Sequence, residues 1–161
     1  MSARSGIGYD SHRFEDGRRL VLGGVEVPEA DRGLAGHSDA DALAHAAIDA
    51  LLGAAGLGDI GQHYPDSDER WRDADSIELL GEVSSFLGEH GWTVCHLDAT
   101  VICEDPELGP HRDEMRARLA DAVGLAPLEV NVKFTTNEGM GFTGRGEGVA
   151  ALAVATVERA D

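Results

Sequence analysis

The chain opens on a strand-like pattern over residues 5–14, in which apolar and polar positions are mixed. "GYDSHRF", residues 8–14, carries Tyr9 and Phe14, which suit a strand, yet Asp10 and His12 lie inside it. Side chains two apart on a strand emerge from the same face. That spacing therefore places a carboxylate and an imidazole side by side. Residues 5–14 are predicted as a strand, and 19–28, "RLVLGGVEVP", as a hairpin, because Gly23-Gly24 supplies the positive φ of a two-residue turn. Ser38, Asp39 and Asp41 then open a helix running to about Leu52 and stopping near Gly53 or Gly56. Ser38 is its expected N-cap, with Asp41 in the fourth capping-box position.

A long polar loop follows over residues 58–75. Loops of that length in compact domains are usually functional or disordered. Ile77, Leu80, Val83 and Leu87 recur at helical spacing and predict a helix over 75–89. In "TVCHLDATVIC" strict alternation puts Val94, His96, Asp98 and Thr100 on one face and Cys95, Leu97, Ala99, Val101 and Cys103 on the other. A helix is predicted over 110–123 and a strand over 130–136. Residues 147–158 are apolar, and β-branched Val149, Val154 and Val157 tip them towards strand. The order β, hairpin, α, loop, α, β, α, β, β predicts one α/β domain over 1–161, an α+β sandwich with helices packed on one face of a mixed sheet.

Composition narrows the partners. Thirteen basic residues against thirty acidic ones give a net charge of −17, and the single lysine is Lys133. Such a chain has no general phosphate-attracting surface for nucleic acid. An anionic substrate must be met by metal ions, backbone N–H groups or a few arginines. There is no apolar run long enough to span a bilayer, and "MSARSG" lacks the apolar stretch of a signal peptide, so a cytoplasmic protein is expected. Cys95 and Cys103, eight apart on one strand, are separated by roughly 26 Å and are expected as reduced core thiols.

Three clusters carry candidate chemistry. Asp10 and His12 on their own are as easily a surface pair on an edge strand. In the Ala- and Leu-rich helix, however, Asp41, His45 and Asp49 recur at i, i+4 and i+8 as one polar stripe, with a carboxylate one turn from His45 to orient its ring. A lone buried histidine is more often hydrogen-bonded core. Asp10, His12 and His45 together make a two-imidazole, one-carboxylate set that suits Zn²⁺ with one open position. His37 and Ser38 sit at the mouth of that helix, where an anion is favoured. Finally, "KFTTNEGMGFTGRGEG", 133–148, combines five glycines with Thr135, Thr136, Glu138 and Arg145. Such a segment can cradle phosphates, and Glu138 can hold Mg²⁺ when phosphates supply the other ligands. Its spacing is not that of a Walker A loop, and alone it reads as a turn between strands.

"GYDSHRF", "LGGVEVP", "GHSDADALAHAAIDALLGAAGLGDIGQHYPDSD" and "FTTNEGMGFTGRGEGVA" together resemble the 2-C-methyl-D-erythritol 2,4-cyclodiphosphate synthases of non-mevalonate isoprenoid biosynthesis, over about residues 6–157. The resemblance implies a homotrimer with sites between subunits. It implies closure of 4-diphosphocytidyl-2-C-methyl-D-erythritol 2-phosphate to the cyclic diphosphate with release of CMP. It assigns Zn²⁺ to Asp10, His12 and His45, and a second ion, Mg²⁺ or Mn²⁺, to Glu138. His37 and Thr136 become transition-state stabilisers, and His37 and Ser38 contacts to diphosphate and methylerythritol. Asp59, Gly61, Tyr64, Asp66 and Asp68 become methylerythritol and ribose contacts. Pro106 and Leu108, within 103–109, belong to the cytidine pocket, and Thr135 and Thr136 to the nucleotide phosphates. Phe142 and Arg145 complete the set, and Arg145 with Glu147 matches a threefold cavity for an isoprenoid diphosphate. Gln62, Glu107 and Gly139 stand where family members often have lysine. The residues themselves leave two other readings open: a zinc hydrolase acting on a phosphorylated substrate, and a non-catalytic metal-binding assembly protein.

Overall fold

The computed structural model describes residues 2–159. A long strand β1 (Ser2–Glu15) leads into the hairpin β2 (Val21–Leu22) and β3 (Val25–Glu26), then the short β4 (Gly33–Leu34). Helix α1 (Ala42–Ala55), the one-turn α2 (Ile60–His63) and α3 (Ser76–Glu89) precede β5 (Trp92–Ile102). Helix α4 (Arg112–Val123), β6 (Val130–Thr135), the one-turn α5 (Gly141–Gly144) and β7 (Gly148–Arg159) complete the chain. The main sheet has the order β4-β1-β7-β5-β6, antiparallel except for the β5–β6 pair. The mixed sheet with helices on one face is the architecture expected from the sequence. No described helix is long and apolar enough to cross a membrane.

The hairpin turns on Gly23 and Gly24 as predicted, at φ 58° and 73°. Helix α1 buries Leu43, Ile48, Leu51 and Leu52 completely. Each such side chain contributes about 1.5–3 kcal/mol of burial. Its N-cap is Asp41, whose carboxylate accepts from the Ala44 N–H. Ser38 is not the cap. Ala40 adopts φ 58°, a left-handed break that delays the helix, and the Ser38 hydroxyl accepts from the Ala40 N–H instead. The helix runs past Gly53 and ends at Gly56, which takes φ 73°.

Strict alternation fails near the start of β5. A register shift between Val94 and His96 makes Cys95 a bulge, so Val94 joins Trp92, Leu97, Ala99 and Val101 on the buried face. The 58–75 segment contains α2, closed by a reciprocal capping box between Asp59 and Gln62, and a 3₁₀ turn over Glu69–Trp71. On the sheet face away from α1, Ile7 opposes Val154 and Tyr9 opposes Leu152. These four remain 38–70% exposed.

Candidate active site

The site begins with two glycines. Asp10, His12, Gly6 and Gly8 share the face of β1 that meets α1. A Cβ at Gly8 would stand 1.9 Å from the Ala46 carbonyl oxygen, and one at Gly6 2.2 Å from that of Ala50. Only glycine lets the helix lie this close to the strand. The close approach brings His45 of α1 onto the pair that follows the glycines. Asp10 Oδ2 lies 2.8 Å from His12 Nε2 and 3.2 Å from His45 Nδ1, and the two nitrogens are 3.3 Å apart. Four donors around zinc at about 2.0–2.1 Å stand roughly 3.3 Å apart at tetrahedral angles. The three atoms therefore form one face of a tetrahedron of the right size, and the residues fit a divalent metal.

The far side of each ring is held by an acceptor. His12 Nδ1 is 2.7 Å from the Ala35 carbonyl and can only donate there, so the neutral ring presents the Nε2 lone pair to the triangle and the protonated ring donates Nε2–H to Asp10. His45 Nε2 lies 2.8 Å from Ser76 Oγ, whose own hydroxyl reaches Asp39. Burial pushes Asp10 up, but the hydrogen bonds and charges of His12 and His45 outweigh it and hold the carboxyl below the usual range. Burial pushes His12 down, and the Asp10 carboxylate overcomes this to leave the imidazole above its ordinary value.

The polar stripe on α1 divides its work differently from the sequence expectation. Neither Asp41 nor Asp49 orients His45. Asp41 is fully buried and accepts from the N–H groups of Gly23, Gly24 and Ala44 at 2.7–2.9 Å. Burial, with Asp39 nearby, pushes its carboxyl up to about 6 against those bonds. Asp49 takes the Ile60 N–H at 2.8 Å and so anchors α2.

Asp10, His12 and His45 lie at one end of a cavity of about 430 Å³, which His37, Ser38, Gly61, Tyr64 and Asp66 also line. Its apolar wall comes from Ile60, Trp71 and Leu79. His37 Nε2 donates to the Asp68 carbonyl at 3.0 Å. The Tyr64 hydroxyl donates to Glu82, and burial together with that carboxylate raises its pKa. Asp59 and Asp68 cap α2 and the 3₁₀ turn, and Asp68 also pairs with Arg70.

A second cavity of about 380 Å³ gathers Pro106, Leu108, Thr135 and Thr136 with Glu104, Glu107 and Arg112. Glu138 lies just beyond it, exposed and at φ 54°, on a turn whose Asn137 and Gly139 N–H groups bond Glu104. Phe142 lines a third, open depression with His12, Arg13 and Glu147. Arg145 pairs with Glu147 at 2.8 Å. Among the described residues, none lines both the first and the second cavity.

A family model described as the YgbB family matches residues 3–158. This chain belongs to the YgbB family. It is 59% identical over 160 residues to a 2-C-methyl-D-erythritol 2,4-cyclodiphosphate synthase of Rubrobacter xylanophilus, covering 98% of this chain and 96% of that one. It is 58% identical over 156 residues to a bifunctional enzyme IspD/IspF of Anaeromyxobacter dehalogenans, where it covers 97% of itself but 40% of the relative. The matched region thus spans nearly all of the first relative and less than half of the second. A solved 2C-methyl-D-erythritol-2,4-cyclodiphosphate synthase in its CDP-bound form superposes with a TM-score of 0.87 at 38% identity, covering 96% of this chain and all of that one.

Several residues that serve these cavities escaped the sequence reading. Ser76, Asp39 and the Ala35 carbonyl back the histidines. Arg18 bonds the carbonyls of Gly36 and Ser38, on either side of His37. Only Asp39 gave a local signal, as part of the helix opening. The others are fixed by contacts distant in sequence.

Proposed function

We propose that this chain is a 2-C-methyl-D-erythritol 2,4-cyclodiphosphate synthase, acting in isoprenoid biosynthesis by the non-mevalonate route. The single observation that carries the reading is the donor triangle of Asp10, His12 and His45, at zinc dimensions, in a YgbB-family chain. In the reaction, an oxygen of the substrate's 2-phosphate bonds to the β-phosphorus, the bond between that phosphorus and the bridging oxygen breaks, and CMP leaves. Nucleophile and electrophile belong to one molecule, so the protein needs no nucleophile of its own. Its task is to fold the substrate and neutralise charge.

Zn²⁺ at Asp10, His12 and His45, with Mg²⁺ or Mn²⁺ at Glu138 and the phosphates, supplies the positive charge that a chain of −17 lacks. The protein's own groups do the rest. His37, held through Nε2 by the Asp68 carbonyl, and the Ser38 hydroxyl line the metal cavity beside the reacting phosphates. Ile60, Tyr64 and Trp71 seat the carbon skeleton and keep water from the β-phosphorus. Pro106 and Leu108 hold cytosine, and Thr135 and Thr136 its phosphates, with Thr136 steadying the transition state.

The same reading makes the protein a homotrimer. Two cavities without a common lining residue become one site when the first of one subunit meets the second of its neighbour. The exposed Ile7, Tyr9, Leu152 and Val154 favour burial of that sheet face between subunits. An isoprenoid diphosphate on the threefold axis, near Arg145 and Glu147, belongs to this assembly.

The test is incubation of zinc- and magnesium-loaded protein with the cytidylyl substrate, followed by phosphorus NMR. Equal amounts of cyclic diphosphate and CMP are expected. A linear product carrying oxygen from labelled water would make the protein a hydrolase. An unconsumed substrate would leave a metal-binding assembly protein.

A further inference from the structure

The direction of the hydrogen bonds behind His45 carries information beyond the metal triangle. His45 can face a metal through Nδ1 only if its proton is on Nε2. Nε2 lies 2.8 Å from Ser76 Oγ and 3.3 Å from Ser38 Oγ. A serine hydroxyl both donates and accepts, so neither contact alone decides where the proton resides. The next link decides it. Ser76 Oγ is within hydrogen-bond distance of Asp39 Oδ1, and both oxygens of that carboxyl group already accept from backbone N–H groups, so it is the acceptor here too. Ser76 must therefore donate to Asp39, and its lone pair is left to accept from His45 Nε2–H.

Asp39 is itself fixed in place. Its Oδ1 also accepts from the Asp41 N–H at 3.1 Å, at the entrance of α1, and its Oδ2 from the Ser76 N–H at 3.0 Å, at the start of α3. Ser76 is completely buried, so its hydroxyl has no competing water. The helix cap of α3 is a different residue, Asp75, which accepts from the Ile77 N–H. The Asp39–Ser76 contact is thus not needed as that cap. It joins α1 to α3 across thirty-seven residues and ends on a metal-facing ring.

We infer that Asp39 and Ser76 are positioning residues that set the zinc-facing tautomer of His45, and thereby the metal affinity of the triangle. His12 has a simpler device with the same result, because the carbonyl of Ala35 accepts at its Nδ1. On each ring the acceptor behind it opposes the Asp10 carboxylate, which in the absence of metal attracts a proton to His45 Nδ1 and His12 Nε2. The inference rests on the metal reading of the triangle given above, and its experiment separates the two.

The experiment uses the full chain, with Ser76→Ala, which removes the hydroxyl and leaves the backbone bond to Asp39, and Asp39→Asn, which permits the reverse direction of donation. Zinc affinity is measured by competition with a chromogenic chelator. The tautomer is measured on zinc-free protein by two-bond proton–nitrogen NMR of the imidazoles, at a pH where both rings are neutral. Thermal unfolding of the zinc-free variants checks that they fold. The parent is expected to show one His45 tautomer, protonated at Nε2, and each variant a mixture. Zinc affinity is expected to fall about 10–100-fold in both. Affinity within twofold of the parent in either folded variant, or a parent His45 protonated at Nδ1, overturns the inference while leaving the triangle a metal site. A parent that takes up no zinc overturns both. If Asp39→Asn does not fold, Ser76→Ala decides by the same two readings.

Discussion

Replacing Gly8 by alanine tests the link between the sequence and the site. The new Cβ would stand 1.9 Å from the Ala46 carbonyl oxygen and 2.8 Å from the Ala50 nitrogen, both main-chain atoms of α1. Real Cβ atoms do not approach closer than 3.0 Å, so the strand and helix must separate by about 1.1 Å at this point. Backbone cannot turn aside as a side chain can. Overpacking of this kind costs about 1–3 kcal/mol, and the upper end applies here. In a chain of this size, about 3 kcal/mol lowers the melting temperature by roughly 6–12 °C. His45 is one residue before Ala46, so it moves with the obstructed turn. A shift of about 1 Å exceeds the tolerance of a zinc bond of about 2.0–2.1 Å, which leaves Asp10 and His12 as a two-ligand site. The assay is thermal unfolding of metal-free protein at fixed chain concentration, paired with zinc titration. The expected result is the stated melting shift together with loss of tight zinc binding. A Gly8→Ala protein that melts within 2 °C of the parent, on the order of the scatter of such scans, and binds zinc equally well would refute the close-approach argument.

Zinc binding should depend on pH in a direction set by His12. Its folded pKa lies above 6.5, so the proton on His12 stabilises the metal-free fold at low pH, and that contribution disappears as pH rises through the folded value. Asp10 acts oppositely, its contribution being present above 3.8 and lost as pH falls through its lowered value. Zinc must displace the His12 proton, so affinity should fall about tenfold per pH unit below the folded pKa and level off above it, as read by titration from pH 5 to 9; a flat profile would remove His12 from the ligand set. Glu107→Lys should tighten binding of CDP, because Glu107 is an exposed anion in the second cavity, and the gain should shrink as salt is raised. Calorimetry at low ionic strength showing unchanged affinity would mean that only the backbone of this segment meets the nucleotide.

The parts of the fold legible in the sequence are those written in local spacing. Gly23-Gly24 gave the hairpin, the 3.6 period gave α3, and β-branched valines settled β7. Asp10 and His12 two apart, with His45 on an apolar helix, were enough to suggest a metal set. Less was legible where two local patterns competed. Ser38 and Asp41 both satisfy the rule for an N-cap, and the choice fell to Asp41 because Ala40 turns left-handed and Asp41 also holds the buried hairpin turn. The Cys95 bulge has no local signature, since Val94 and Cys95 are both apolar and either phase fits. The groups behind the histidines were the least legible. Ser76 is thirty-one residues from His45 and meets it only through the packing of α3 on α1.

The central claim is that two cavities separate within one chain form one site across a subunit boundary, and mixing two inactive variants tests it most directly. His12→Ala disables the first cavity and Thr136→Ala the second, so each homotrimer should be inactive. In a cyclic trimer every mixed assembly contains one boundary where both contributing halves are intact. Equal co-expression makes about three quarters of the trimers mixed, and CMP release should then recover to roughly a quarter of the parent rate on this cyclic arithmetic. Native mass spectrometry confirms the mixing. Mixed trimers that release no CMP would place both halves of the site on one subunit and contradict the account.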